Sequence, residues 1–332
     1  MKAIKILTMA ALATAVFASC SNDEDLAQSN YPMDNVVRIM TSVDGMNTRA
    51  SYGNSTDKLK SFGFCIKNAN SEKYTYDNIK VSQKGYNWIP ATQMLWQNST
   101  TAVDILAYAP YQETTEDANG KVKVFGKTDY AFSVKEDQSN AEDYSSDLIV
   151  YKKTGFKPES NLNTNQAVDV SFTHLLSQLN LTIELRDQFN QDEKKPVTSA
   201  TVTDVKVDGT FIRSKVNFAA DPISVQIGGS STLVSKAIIP ETVAFTKADK
   251  TTDHATFKYS AIVIPQWIRA GVFCISFKVN GNDYIWTSTS DMNFVSGKKH
   301  DLLLLVGKDV VQGGAISAKP WGEETITEKE TD

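Results

Sequence analysis

The stretch "CISFKVNGNDYIWTS", Cys274–Ser288, carries the clearest signal of the fold class of this chain. Apolar residues alternate with polar residues on both sides of Asn280-Gly281, which is the period of a strand with one buried face. Asn-Gly tolerates the positive φ angles that a two-residue hairpin turn requires. The stretch therefore predicts two antiparallel strands joined by a tight turn.

The same pattern recurs along the chain, and it predicts an all-β fold. The run "DVKVDGTFIRSKVNF", Asp204–Phe218, places Asp208-Gly209 between two alternating segments and predicts a second hairpin. Helical periodicity is scarce beyond the N-terminus, and the most helix-like piece is a turn around "THLLSQ", Thr173–Gln178.

Many short strands separated by turn signals are typical of β-sandwiches. Because a single sandwich of this length would be unusually large, we predict two tandem antiparallel sandwiches. The segment "KTGFKPESNLNTNQAVD", Lys153–Asp169, is polar and contains Gly and Pro, so it predicts a linker. We place the boundary near residue 165, which gives sandwiches at 50–165 and 166–332.

Composition and the N-terminus indicate the compartment. A formal charge of -5, without a Lys/Arg cluster, argues against binding to nucleic acid. No apolar run approaches the length that a membrane-crossing helix needs. Lys2 and Lys5 precede the apolar run Ile6–Phe17, and two small residues follow it. This order is that of a secretory signal peptide.

Cys20 lies where the apolar run gives way to the acidic run "SNDEDLAQSN". Phe17-Ala18-Ser19-Cys20 resembles a bacterial lipobox, in which the cysteine is acylated with palmitate-type chains and residues 1–19 are removed before it. Phe17 departs from the usual leucine. The alternative is an ordinary export signal followed by an incidental cysteine. Lipid chains on Cys20 would hold the chain on a membrane, and the acidic run would serve as a hydrated tether.

Candidate chemistry is sparse. Cys65 and Cys274 lie in strand-like runs and are interpreted as buried free thiols, although export would permit a disulfide. His174, His254 and His300 show no metal-ligand spacing, so no metal site is predicted. No nucleophile elbow, phosphate loop or dinucleotide fingerprint is present. We expect no enzyme and no cofactor, although a carboxylate pair assembled from distant strands stays open. His174 is interpreted as a structural histidine.

Aromatic residues offer one alternative function. Trp88, Trp96, Tyr108 and Tyr111 could form a platform for a carbohydrate. In a sandwich, however, most of them are expected to lie in the core.

The stretch "VDGMNTRASYGNSTDKL", Val43–Leu59, is the most informative about function. A strand ends at Val43, a turn candidate follows, and Arg49 lies among small polar residues. Exposed loops of this composition are where proteases cut. Without further information, Arg49 is also compatible with an ordinary surface arginine.

Several segments together resemble the fimbrillin family, the lipid-anchored precursors of type V pilus subunits in Bacteroidales-type Gram-negative bacteria. They follow one another in the expected order over most of the exported chain. They are "TRA" at Thr48–Ala50, "TAVDILAYAPY" at Thr101–Tyr111, "DLIVYKKT" at Asp147–Thr154, "SFTHLLSQLNLTI" at Ser171–Ile183, "FVSGKKHDLLLLV" at Phe294–Val306 and "ISAKPW" at Ile316–Trp321.

The resemblance implies two transthyretin-like β-sandwich domains with Greek-key connections, no cofactor and no catalysis. It also implies export as an outer-membrane lipoprotein, with signal cleavage between Ser19 and Cys20. An arginine-specific protease would then cut between Arg49 and Ala50. Residues 20–49 would thus be a lipid tether and a propeptide that contains the first strand.

The first strand is the expected target of an exchange between subunits. "NVVRIMTSV" alternates so that Val37, Ile39 and Val43 lie on one face. Once cut free, it would leave an apolar groove with unpaired edges, which recruits a strand from elsewhere. The donor candidates lie near the other end of a neighbouring subunit, after a possible hinge at two glycines: Ala315, Ile316, Ala318 and Trp321. The alternative is a C-terminal strand that completes its own sandwich.

We therefore predict a structural subunit of a type V pilus, or fimbria, at the cell surface. Head-to-tail contacts with other pilus subunits would build the filament for adhesion and biofilm formation. The alternatives are a pilus anchor or tip subunit, or a lipid-anchored surface protein that binds glycans or other ligands without polymerising.

Overall fold

The computed structural model describes residues 30–43, 58–113, 124–190, 196–228, 233–248, 254–309, 311–313 and 317–320. The described residues are almost all strand and turn, and the prediction of an all-β fold is confirmed. The short helices among them are a 3-10 helix at Glu72–Tyr74, α1 (Pro158–Asn161) and α2 (Asp187–Asn190).

The largest sheet has seven strands in the order β1-β8-β7-β5-β2-β3-β4. Its strands are β1 (Arg38–Val43), β2 (Ser61–Lys67), β3 (Tyr76–Lys84), β4 (Asn87–Pro90), β5 (Val103–Ala109), β7 (Ile149–Phe156) and β8 (Ala167–His174). One face of this sheet covers a hydrophobic core, called the first core here. Its members include Phe62, Phe64 and Ile105, all fully buried.

A second core lies under the remaining sheets. The main sheet has the order β13-β14-β9-β19-β20, and β21 also pairs with β19. Its strands are β9 (Ser177–Leu185), β13 (Glu241–Thr246), β14 (Ala255–Val263), β19 (Lys298–Val306), β20 (Val311–Gly313) and β21 (Ser317–Pro320).

Three smaller sheets complete the second core. The first runs β10-β16-β17, the second β12-β11-β6, and the third pairs β15 with β18. Their strands are β10 (Val202–Asp208), β16 (Cys274–Val279), β17 (Asn282–Thr287), β6 (Tyr130–Ser133), β11 (Arg213–Asn217), β12 (Ser224–Ile227), β15 (Gln266–Ile268) and β18 (Met292–Phe294).

Most of the strand pairs are antiparallel, but each core also contains a parallel pair. β1 runs parallel to β8, and β9 runs parallel to β19. In both cases the two paired strands lie far apart along the chain. Parallel neighbours need a long connection, so no local sequence signal specifies this pairing.

Of the two predicted hairpins, one is confirmed and one is wrong. β16 and β17 form the hairpin, with φ of 51° at Asn280 and 83° at Gly281. At Asp208-Gly209 the chain does turn, but β10 pairs with β16 rather than with β11. A Cβ on Gly209 would lie 2.3 Å from the carbonyl oxygen of Val272, so this glycine permits a close backbone approach as well as its φ of 82°.

The chain passes from the first core to the second within a few residues, between β8 and β9. The predicted helix-like turn at Thr173–Gln178 is not helical, because β8 ends at His174 and β9 begins at Ser177. The seven-stranded sheet thus continues past residue 165 as far as His174. In addition β6, from the first half of the sequence, pairs with β11 in the second.

Candidate strand-exchange site

β1 occupies an edge of the seven-stranded sheet and pairs with β8 in a continuous parallel register from Arg38↔Ala167 to Val43↔Phe172. Its alternating sequence gives it one apolar face, as predicted. Val37, Ile39 and Val43 are all buried in the first core. The prediction that these three side chains lie on the buried face is therefore confirmed.

The start of β1 is held on a second side. The Val37 N–H donates to the Met94 carbonyl at 3.0 Å, and the Trp96 N–H donates to the Asn35 carbonyl at 2.8 Å. Residues 94–96 follow β4, the strand at the opposite edge of the same sheet. β1 also lies against β4 itself. The sheet therefore curls, and β1 closes the gap between its two edges.

The surface against which β1 packs, called the seat here, is apolar. The residues that face it across the β8 register are Val168, Val170 and Phe172, all fully buried. Phe172 makes an edge-to-face contact with Phe62 at a centroid distance of 5.3 Å. Sequence reasoning missed this lining, because the alternation in "AVDVSF" signals a strand but not its partner.

The outer face of β1 is held by weaker contacts. The Ser42 and Ser171 hydroxyls are hydrogen-bonded at 3.0 Å. The side-chain amides of Asn163 and Asn165 donate to the Met40 sulfur at 3.4 and 3.3 Å. Thioether sulfur is a weak acceptor. The burial of the apolar face therefore dominates the attachment of β1.

The C-terminal segment pairs with the main sheet of its own second core. β20 aligns Gly313 with Leu304, and β21 aligns Ala318 with His300. A Cβ on Gly313 would lie 2.3 Å from Trp286 Nε1, so this glycine gives space to the indole ring. Of the donor-strand candidates, Ala315, Ile316 and Trp321 lie outside the described residues, and for Ala318 only the backbone is described.

The predicted processing sites, Ser19, Cys20, Arg49 and Ala50, also lie outside the described residues. The other two cysteines are free thiols. Cys65 is buried, as predicted, and donates to Asp77 Oδ1 at 3.2 Å. Burial raises the pKa of the Cys65 thiol well above its usual value, and it also raises that of the half-buried Cys274.

The described residues bear on metal binding and on membrane crossing. They contain no cluster of three or more His, Cys, Asp or Glu that could hold a metal ion, and no helix long and apolar enough to span a membrane. His174 is buried, with its Nδ1 3.0 Å from Asp147 Oδ1, a contact that is consistent with its interpretation as a structural histidine. Trp96 and Tyr108 are core residues, as expected, whereas Trp88 and Tyr111 are half-buried.

The comparisons with known proteins agree with the resemblance in the sequence. A family model described as "Fimbrillin-like" matches residues 48–321, and the chain belongs to this family. The match begins at Thr48, so β1 precedes it. Among the curated proteins, no match is found.

Several crystal structures share the fold. A fimbrial protein from Bacteroides vulgatus aligns with 18% identity and a TM-score of 0.52, over 86% of this chain and 99% of that one. Two proteins, each described as a "putative cell adhesion protein", align similarly. The one from Bacteroides uniformis has 21% identity and a TM-score of 0.54, over 87% of this chain and 99% of that one. The one from Bacteroides ovatus has 13% identity and a TM-score of 0.60, over 87% and 98%.

Proposed function

We propose that this chain is a structural subunit of a type V pilus, built of two transthyretin-like sandwiches and without catalytic activity. It is exported as an outer-membrane lipoprotein acylated on Cys20. An arginine-specific protease then cuts between Arg49 and Ala50. The processed subunit joins the fimbrium at the cell surface by strand exchange and serves adhesion and biofilm formation.

One observation supports this proposal above all: β1 packs against the first core, yet it lies before the part of the chain that the family model matches. Three buried side chains, its parallel neighbour β8 and backbone hydrogen bonds to residues 94–96 hold it, and it precedes the matched region, which begins at Thr48. A cut after Arg49 would separate it from everything that follows. The chain would then retain its cores and lose only the closing strand.

The energetics fit a provisional strand. Burial of Val37, Ile39 and Val43 is worth roughly 1.5–3 kcal/mol each. The hydrogen bonds add about 1 kcal/mol apiece. The gross attachment is therefore on the order of 10 kcal/mol, from which the cost of ordering the strand must be subtracted. Such a strand is firmly held while it is tethered, but it can leave once it is cut.

The tether decides the competition between strands. While covalently attached, β1 has an effective concentration on the order of millimolar or higher, and a strand from another subunit cannot compete. After cleavage the released segment is diluted as soon as it dissociates. The apolar seat and the open edge of β8 then accept an incoming strand by β-augmentation.

The donor is the C-terminal segment of the next subunit. In the free chain, β20 and β21 pair with β19 at one edge of the second core, so donation requires that they detach. A contact between the C-terminal end of one subunit and the first core of the next is head-to-tail. Contacts of this type generate open filaments when the rotation does not close.

Protease treatment of purified chains tests the proposal. With an arginine-specific protease, we expect one early cut with a new N-terminus at Ala50, followed by ladders that resist detergent. Arg49→Lys should abolish both. Arg38→Lys is the matched control, because Arg38 is a partly exposed arginine that pairs with Asp34, and this variant should still assemble. Fibres of Arg49→Lys equal to those of the unaltered chain would refute the proposal.

Recovery of the protein from cells tests export and anchoring separately. A blocked N-terminus at Cys20 on unprocessed chains, and loss of membrane association in Cys20→Ser, are expected. Mature chains should begin at Ala50. Chains that remain blocked at Cys20 throughout would favour an anchor subunit or a permanent surface lipoprotein.

A second candidate function, glycan binding, is favoured by the two-stranded sheet of β15 and β18. Trp267 is 55% exposed, Asn293 lies directly opposite it, and the Arg269 guanidinium lies 5.9 Å from its ring centroid. An exposed indole beside hydrogen-bonding side chains suits a sugar ring. A glycan array probed with the full chain and with Trp267→Ala tests this function. Glycan binding is supported only if the full chain binds a glycan and Trp267→Ala does not.

A further inference from the structure

Val37, just before β1, and the core-facing side chains of β1 occupy four alternate positions, here called slots one to four: Val37, Ile39, Thr41 and Val43. Slots one, two and four hold buried aliphatic side chains. The third holds a threonine. Threonine differs from the isosteric valine by a hydroxyl in place of a methyl group, so this position is chemically distinct in an otherwise apolar row.

Thr41 as a residue is half-buried, but its hydroxyl oxygen is buried and makes no hydrogen bond to the described residues. Its Oγ1 is inaccessible to solvent, and within the described part of the chain no hydrogen-bond partner lies in reach. The residue across the parallel register is Val170, which is fully buried and offers no polar group in its side chain. A buried hydroxyl without a partner loses its bonds to water and gains none. The third slot therefore opposes the attachment of β1.

We infer that the third slot is the specificity determinant of the strand-exchange seat, and that it fits an aliphatic side chain from a second copy of this chain. This inference rests on the proposed function. In the donor segment between Gly313 and Trp321, Ile316 is the one β-branched aliphatic residue, and it is our candidate for this slot. An incoming isoleucine fills the slot without burying an unpaired hydroxyl.

The arrangement gives exchange a direction. While the covalent tether is intact, β1 stays bound despite the unpaired Thr41 hydroxyl, because the tether keeps its effective concentration high. After cleavage the defect speeds its departure, and the strand that replaces it carries no such defect. Thr41 thus makes the first occupant of the seat easier to displace than the second.

The test follows release of the excised strand from the first core. Full chains with a fluorescent label on the propeptide are cut with an arginine-specific protease, and the release rate of the labelled peptide is measured. Thr41→Val should slow release by roughly tenfold or more, since an unpaired buried hydroxyl weakens attachment by that factor. Thr41→Ser is the matched control, because it keeps the hydroxyl and should not slow release.

The outcomes separate the inference from the proposed function. If the unaltered chain is cut but never releases its peptide, strand exchange itself fails. If it releases the peptide and Thr41→Val does so at the same rate, only the role of the third slot is refuted.

A donor variant tests the other half of the inference. Ile316→Thr should reduce the yield of detergent-resistant ladders by roughly the same factor, whereas Ile316→Val, which is also aliphatic and β-branched, should retain most of it. Both variants keep Thr41 and the cleavage site unchanged. Equal ladders from Ile316→Thr and from the unaltered chain would remove Ile316 from the slot.

Discussion

Substitution of Ile39 by alanine should loosen β1 selectively in the uncut chain. Ile39 is buried in the first core and faces Val168, which is also fully buried. Removing a buried isoleucine to alanine costs about 2–4 kcal/mol, through lost apolar contact and the cavity left behind. This is a large part of the roughly 5–9 kcal/mol that the three buried side chains of β1 contribute.

The loss should appear as local opening rather than as unfolding of the whole chain. Since 1.4 kcal/mol corresponds to a factor of ten, the opening equilibrium of β1 should rise about 30-fold to 1,000-fold. Hydrogen exchange read by mass spectrometry resolves this change by segment. Peptides from residues 36–43 and 167–174 should lose protection, whereas peptides from the β16–β17 hairpin should keep theirs.

Met40→Ala is the matched control, because Met40 lies on the outer face of the same strand and is 43% exposed. Its effect should remain within about 0.5 kcal/mol. Two results would contradict this prediction. If Ile39→Ala matched Met40→Ala, the buried face would not hold β1. If both cores lost protection together, β1 would be part of one cooperative unit and not a separable closing strand.

Three further predictions concern the second core and its contact with the first. Gly209→Ala should lower the free energy of unfolding by at least about 2 kcal/mol, because the added Cβ would meet the Val272 carbonyl. Gly281→Ala is the control, since Gly281 has a similar φ and no atom near its Cβ position. Thermal unfolding should show a larger loss of stability for Gly209→Ala than for this control. Burial lowers the pKa of His300 below 6.5, so the unfolded state binds more protons than the folded state below that pH. The free energy of unfolding should therefore fall as the pH is lowered from about 6.5. His300→Gln should make the melting temperature depend less steeply on pH in this range. The Lys152 ammonium donates to the three backbone carbonyls of residues 218–220 at 2.7–3.1 Å. Lys152→Met should therefore lower the free energy of unfolding by about 1–3 kcal/mol, measured by denaturant titration. An unchanged midpoint would exclude this contact as a stabilising link between the cores.

Features that depend on neighbouring residues could be predicted from the sequence alone. Alternation of apolar side chains fixed which face of β1 is buried, because side chains of a strand point to opposite sides with a period of two. Asn280-Gly281 fixed the β16–β17 hairpin, because those residues accept the positive φ angles of the turn. The family-typical segments were also recognisable in the sequence.

The pairing of distant strands, in contrast, depends on the packing of the whole fold. β1 pairs with β8, which lies 129 residues later, and the Asp208-Gly209 turn sends the chain to another sheet instead of folding it back. Backbone hydrogen bonds of a strand carry no sequence identity, so partners distant along the chain are selected by the packing of the whole core. The same reason applies to Thr41, whose hydroxyl oxygen is buried without a hydrogen-bond partner only in the folded chain, where β1 lies beside β8.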